Sequence, residues 1–140
     1  MAGRVISIIY YITIMENLNL HYLEIVAKST NQVVFAYQLA DNQFTLLNQA
    51  FEKVWSRNRK SVMKNPASLW KTIHPEDKSH LKQTFQDLRE GALVNDIEFR
   101  IQTPKQPERW ICLRPILLDD EQVIIGQAED VTAVKKYNDY

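Results

Sequence analysis

The sequence predicts an α+β domain, a five-stranded antiparallel sheet with helices covering one face. Three observations carry that prediction. Residues 95–103, "NDIEFRIQT", alternate strictly, with Ile97, Phe99 and Ile101 on one face and Glu98 and Arg100 on the other. Between Pro75 and Glu90, Leu81, Phe85 and Leu88 recur at i, i+4 and i+7, and Gly91 closes this helical pattern. The strand-like runs come in two blocks, two before the helical segments and three after, which is the order of an α+β architecture.

Each element has its own local signals. "RVISIIYYITIM" (4–15) is almost wholly apolar and β-branched, about a dozen residues long, against the roughly 20 a membrane-spanning helix needs. It reads as an extension upstream of a true start at Met15, with an edge or dimerising strand, or the tail of a lost membrane segment, as alternatives. No small-x-small cleavage site follows it. Residues 17–29 place Leu18, Tyr22, Ile25 and Val26 at helical spacing, a stripe that either packs on the domain's own sheet or forms a dimer face. "VVFAYQL" (33–39), the turn "ADN" and "QFTLLN" (43–48) read as a hairpin. "NQAFEKVW" opens a helix with Asn48 as its expected cap, and a polar loop follows. "NPASLWKTI" (65–73) is a short helix with Pro66 in its first turn. After the helix that ends at Gly91 come strands at 95–103, 109–118 and 123–132, separated by the turns "TPKQPE" and "DDEQ". "AVKKYNDY" begins another helix.

Composition narrows the function classes. Formal net charge is zero, so no broad attraction to nucleic acid or acidic lipid is expected. The local basic run Arg57, Arg59, Lys60 and Lys64 lacks the strand and Gly-rich turn of a phosphate loop and reads as a solvated loop. The single cysteine, Cys112, excludes an internal disulfide and a thiolate zinc cluster, and its place within a strand makes it a buried, inert thiol.

Two of the three histidines, His74 and His80, fall in "IHPEDKSHLKQTF" (73–85) beside Glu76 and Asp77. On a helix, residues six apart differ by about 120° in azimuth and roughly 9 Å along the axis, so these two cannot share one ion. No metal site is expected. Glu76 and Asp77 are adjacent and diverge on a helix, which argues against paired-carboxylate chemistry. No serine elbow, P-loop or H-E-x-x-H motif is present, and no catalytic residue is assigned. "HPED" reads instead as a helix start: Pro75 suits the first helical position, and the two carboxylates face the positive end of the helix dipole.

Taken in order, these motifs resemble a PAS domain of the kind found in bacterial sensor histidine kinases. Asn48-Gln49-Ala50-Phe51 is similar to the family's N-x-A-F junction, and residues 54–81 to its "W-G-R…P…W…I-H-P-E-D" stretch. "IEFRI", "RWICLRPIL" and "VIIGQAEDVTAVKK" resemble its last three strands, ending on the D-[IV]-T motif at Asp130-Val131-Thr132. The resemblance spans residues 17–136. Ser56 stands where a glycine is common, and "TPKQPE" replaces an Asp-Gly-type turn. Nothing resembles the flavin-binding N-C-R-F-L-Q motif, so flavin–cysteinyl photochemistry is not expected.

The resemblance implies a PAS domain over 17–132, preceded by an extension over 1–16 and followed by the start of an output helix over 133–140. It implies a cytoplasmic sensory and dimerisation module of a two-component kinase, non-catalytic by itself, dimeric through residues 17–29, with a downstream effector and a small-molecule ligand as partners. The alternative is a free-standing sensor of a small molecule or haem. Phe35, Tyr37, Phe51, Trp55, Trp70, Phe99, Trp110 and Gly126 are the candidate pocket residues. The aromatics either fill the core or enclose a ligand; Gly126 and Ala128 either leave room for one or let a helix pack closely. Asp130 and Thr132 are assigned to signal output, with Val131, Val134 and the stem of Lys135 as the start of a coiled-coil seam. His80 lies on the helix that carries the iron ligand in haem-binding PAS proteins, at a similar distance before the closing glycine, but it lies about 100° from Leu81, at the edge of the apolar stripe. No cofactor is expected.

Overall fold

A computed structural model describes residues 21, 25 and 27–138. The chain divides into two compact units, residues 1–30 and 31–140. In the first, the described residues 21, 25 and 27–29 are helical, and Ser29 Oγ donates to the Ile25 carbonyl at 2.8 Å. Of the expected stripe only Ile25 is described, and it is exposed. The extension over 1–16, and most of the segment assigned to dimerisation, lie outside the described residues.

The second unit is an antiparallel sheet with short helices on one face. Its elements are β1 (Val33–Gln38), β2 (Gln43–Leu47), α1 (Ala50–Trp55), α2 (Arg59–Lys64), a 3-10 helix (Pro66–Thr72), a 3-10 turn (Pro75–Asp77), α3 (Lys78–Arg89), β3 (Ile97–Thr103), β4 (Gln106–Leu118), a 3-10 turn (Asp119–Glu121), β5 (Val123–Asp130) and α4 (Thr132–Asn138). The strands lie in the order β2-β1-β5-β4-β3, so the last strand sits in the centre and joins the two hairpins. The five-stranded sheet and its helical cover are as the sequence predicts.

Register fixes which side chains share a face. Val33, Phe35 and Tyr37 pair with Ala128, Gly126 and Ile124; Ala128 pairs with Leu113; Leu113 pairs with Ile97, and Ile111 with Phe99. These residues form the inner face. Phe51, Val54 and Trp55 of α1, Val62 of α2, and Leu81 and Leu88 of α3 close over them. Beyond Leu113, β4 has only β5 as a neighbour, and Pro115, which has no N–H to give, stands in that stretch.

Four local expectations change. Asn48 does not cap α1, whose N-cap is Gln49 with no side-chain bond. It is buried instead, where Oδ1 accepts from the Val34 N–H at 2.9 Å and Nδ2 donates to the Gln32 carbonyl at 2.9 Å. The polar loop after Trp55 contains the helix α2, capped by Asn58, whose side chain accepts from the Lys60 and Ser61 N–H groups. In the basic run, Arg57 and Arg59 donate to the carbonyls of Ser68 and Leu47, so both are structural. The helix predicted from Pro75 starts as a 3-10 turn, with α3 proper beginning at Lys78.

Ser56 ends α1 in the left-handed conformation, at φ 53°. That region suits glycine, the residue that the resemblance leads one to expect at this position. Its hydroxyl donates to Gln106 Oε1 at 2.6 Å, a bond glycine could not make. Gln106 Nε2 and Arg109 Nη1 in turn donate to the carbonyls of Lys53 and Val54, so β4 side chains satisfy the end of a six-residue helix.

Replacing Asn48 with alanine strands a buried backbone donor. Asn48→Ala is expected to lower stability by about 1–3 kcal/mol. A urea titration should show a lower midpoint at unchanged slope.

Candidate functional site

The helices do not fill the space above the sheet. Between α1, the Pro66–Thr72 helix, α3 and the inner face of β1, β2 and β5 lies a cavity of about 500 Å³. Volumes of this order are typical of small-molecule sites. Its wall is rich in aromatic rings, from the strands (Phe35, Tyr37, Phe44 and Phe99) and from the helices (Phe51, Trp55, Trp70 and Phe85). Phe51 and Trp55 stack at 5.2 Å, and Trp55 meets Phe99 at 6.5 Å. Phe44 stands edge-on to Tyr37 at 5.0 Å, and Trp70 edge-on to Phe85 at 6.5 Å. Trp55 Nε1 donates to Thr72 Oγ1 at 3.1 Å, which fixes that ring against the Pro66–Thr72 helix.

The structure brings Phe35, Tyr37, Phe51, Trp55, Trp70 and Phe99 together in this wall. It separates two other candidates from it. Trp110 pairs with Arg100 on the outer face, because it is out of phase with the inward Ile111. Gly126 is on the inner face, but the space above it is taken: a Cβ there would lie 2.6 Å from the Arg114 carbonyl and 3.0 Å from the Phe35 ring. Gly126 therefore admits Phe35 and the neighbouring strand, and no ligand. His80 is exposed and not in the wall. Sequence reasoning missed Phe44, Phe85 and Arg89. Arg89 follows Phe85 by four residues, so helical spacing was the available signal that both stand on one face. Among the described residues no cluster of metal-ligating groups occurs. Cys112 is buried, and burial pushes its thiol above the usual range.

The outer face of the same strands holds a second assembly. The Arg100 side chain donates to Asp77 Oδ2 from Nε at 3.0 Å and to Oδ1 from Nη2 at 2.8 Å, while its own backbone N–H donates to Oδ2 at 2.7 Å. Glu76 reaches the same guanidinium at 3.3 Å. The two adjacent carboxylates therefore converge on one guanidinium, because Arg100 Nη2 reaches from β3 to both. His74 completes the junction: its N–H donates to the Arg100 carbonyl at 2.9 Å and its Nδ1 accepts from the Glu76 N–H at 3.1 Å. "HPED" is thus a clasp onto β3 as well as a helix start.

Arg100 also lies over the Trp110 ring, at 5.1 Å, as does Lys135 Nζ at 4.9 Å. The Lys135 ammonium pairs with Glu98 at the sheet; Val134 and Tyr137 are the exposed apolar residues of α4. At the start of α4, Asp130 Oδ1 accepts from the Thr132 N–H and hydroxyl. The Trp110 N–H donates to Thr132 Oγ1 at 2.9 Å, and the Val131 N–H to the Trp110 carbonyl at 2.8 Å. Asp130 and Thr132 thus join the last strand, Trp110 and the exit helix in one knot.

An open antiparallel sheet, a helix leaving from the central strand and an aromatic cavity of small-molecule size under short helices define the α+β module. A family model described as "PAS fold" matches residues 44–125, and the chain belongs to that family. Among solved structures, the chain is similar to a domain from Haloarcula marismortui of a histidine kinase described as light and redox sensing, at 28% identity and TM-score 0.60, covering 80% of this chain and 99% of that one. It also resembles a sensory box histidine kinase/response regulator from Burkholderia thailandensis, at 18% identity and TM-score 0.64, covering 83% and 88%. A third is the N-terminal domain of a diguanylate cyclase with PAS/PAC sensor from Marinobacter aquaeolei, at 15% identity and TM-score 0.63, covering 74% and 98%. The last two likenesses speak for the fold alone. A search of curated proteins returned no match.

The Asp77 pair has a pH signature. Hydrogen bonds from Arg100 hold the Asp77 carboxyl below its ordinary value, against a smaller opposing effect of burial. A depressed folded-state value stabilises the protein above the unfolded pKa of Asp and is lost as pH falls through the folded value. Asp77→Asn is therefore expected to be less stable than wild type at pH 7, with the gap closing as pH drops below the ordinary Asp range. Urea midpoints at a series of pH values check this; a gap that persists at the acid end refutes it.

Proposed function

We propose that this domain is the sensory and dimerisation module of a bacterial two-component sensor kinase, non-catalytic by itself and cytoplasmic, with a small molecule in the cavity as its signal. One observation supports this above others: the cavity and the exit knot lie on opposite faces of the same strands. Phe99, Leu113 and Ala128 line the cavity, while one to three residues away Trp110 and Asp130 belong to the knot and Arg100 lies over the Trp110 ring. A strand cannot shift one face without moving the other, because successive side chains alternate across a single backbone. A ligand that moves the inner face therefore changes the stack on which Lys135 and the start of α4 rest.

The reading draws further support from the family and from the histidine kinase to which the Haloarcula domain belongs. Among the described residues no helix is long and apolar enough to cross a membrane, which accords with it. Dimerisation is assigned to residues 17–29.

Sedimentation velocity at micromolar concentration is expected to show a dimer that is lost when residues 17–29 are removed; monomer in both cases ends the dimer assignment. The coding sequence after Tyr140 is expected to continue into an H-box kinase region. An absorbance scan of freshly purified protein is expected to be featureless above the tryptophan band, and a Soret or flavin band would replace the signal assigned here with a chromophore.

A further inference from the structure

We propose that the cavity takes a small monoanion with an apolar, ring-containing body, and that Arg89 receives its anionic group. This rests on the reading of the cavity as a ligand site and names the class of ligand. Arg89 is the one charged residue among the described residues of the wall. It stands in the last turn of α3 and is exposed, so its guanidinium meets a ligand at the mouth while remaining solvated when the site is empty.

Arg89 also differs from the other described arginines. Arg57 and Arg59 are committed to backbone carbonyls, Arg100 to Asp77, Arg109 to α1 carbonyls and Asp130, and Arg114 to Asp96 and Glu129. Among the described residues, no side-chain hydrogen bond or ion pair holds Arg89. An arginine left unpaired at an apolar opening is a ready partner for a carboxylate or sulfonate, which it binds with its planar fork.

The neighbours locate the polar end of the site. Burial raises the Tyr37 hydroxyl above its ordinary value, and the Arg89 charge acts against that rise, which puts the guanidinium toward the Tyr37 end. Asp41 acts on the same hydroxyl in the opposite sense but is not part of the wall. Tyr37 donates to Asn42 Oδ1 at 3.3 Å, which leaves the Asn42 amide nitrogen as a neutral donor at the same mouth. Away from this end, Phe35, Phe44, Trp70 and Phe85 present apolar rings. A cationic ligand would meet Arg89 with no carboxylate in the described wall. A polyanion would find a single positive charge.

Two probes separate the claims. 1-Anilinonaphthalene-8-sulfonate and N-phenyl-1-naphthylamine share one aromatic body and differ by the sulfonate. Both are titrated by fluorescence into the full chain, with mutual displacement at one-to-one stoichiometry as the criterion for a single site. The sulfonate is expected to bind roughly threefold to tenfold tighter than the neutral probe at low salt, with the advantage shrinking as salt rises. Arg89→Gln is expected to abolish that advantage while leaving the neutral probe within about twofold. Arg89→Lys is expected to keep part of it. Lys82→Gln, which removes the exposed cation 5.6 Å from the Trp70 ring centroid, is expected to leave the ratio unchanged. Equal binding of the two probes by the wild type, an intact ratio in Arg89→Gln, or an equal loss in Lys82→Gln overturns the anion assignment and leaves the cavity reading standing. Failure of both probes to bind overturns the two together.

Discussion

None of the helices laid over the sheet is long enough to hold itself. α1 and α2 have six residues each and α3 has twelve, at or below the roughly 12–15 residues at which an isolated helix becomes marginal in water. The inner face nonetheless has to be covered. The fold meets this constraint at the helix ends, by tying each to something outside it. Gln106 and Arg109 of β4 bind the last carbonyls of α1. Asn58 caps α2, and the clasp of His74, Glu76 and Asp77 on Arg100 anchors the entry to α3. Because the ends bear the load, the middle of the layer need not be densely packed, and a cavity of about 500 Å³ can remain without loss of the fold.

The same constraint explains what was legible in the sequence and what was not. Strands with strict alternation, such as Ile97–Thr103, and the helix closed by Gly91 follow from periodicity that depends only on backbone geometry. The five strands and the aromatic set at Phe35, Tyr37, Phe51, Trp55, Trp70 and Phe99 were readable in this way. Long-range ties were not. Asn48 has the chemistry of a helix cap, and nothing local says that it binds the backbone of β1 instead. Asp77 meets Arg100 across 23 positions, and Ser56 meets Gln106 across 50. Trp110 was misplaced because aromatic character was used where strand phase decides: Ile111 and Leu113 are inward, so Trp110 is outward. Gly126 offers room in the sequence either for a ligand or for a closely packed helix, but the absent side chain on one strand is met by a large one on the next, here Phe35.

Arg100 is where the two layers meet the exit. One face of its environment is the carboxylate pair at the entry to α3, and the other is the Trp110 ring shared with Lys135 of α4. Each cation–π contact is worth about 0.5–1 kcal/mol at an exposed site, so the stack is strong enough to orient α4 and weak enough to rearrange. The hydrogen bonds of Trp110 to the Val131 N–H and the Thr132 hydroxyl are the firmer part of the joint, and they fix where the helix begins more tightly than where it points.

The three tryptophans are divided between these regions in a way that has an optical consequence. Trp55 and Trp70 belong to the cavity wall, and Trp110 lies beneath the cations of the exit joint. Indole emission depends on the polarity and charge around the ring, so the chain contains two kinds of native reporter, one in the cavity wall and one at the joint with α4. With Trp110 replaced by phenylalanine, emission would record the interior alone; with Trp55 and Trp70 replaced, it would record the joint. Under the proposed function, occupancy of the cavity and response at the joint, which most assays merge into one signal, are separable with no label added.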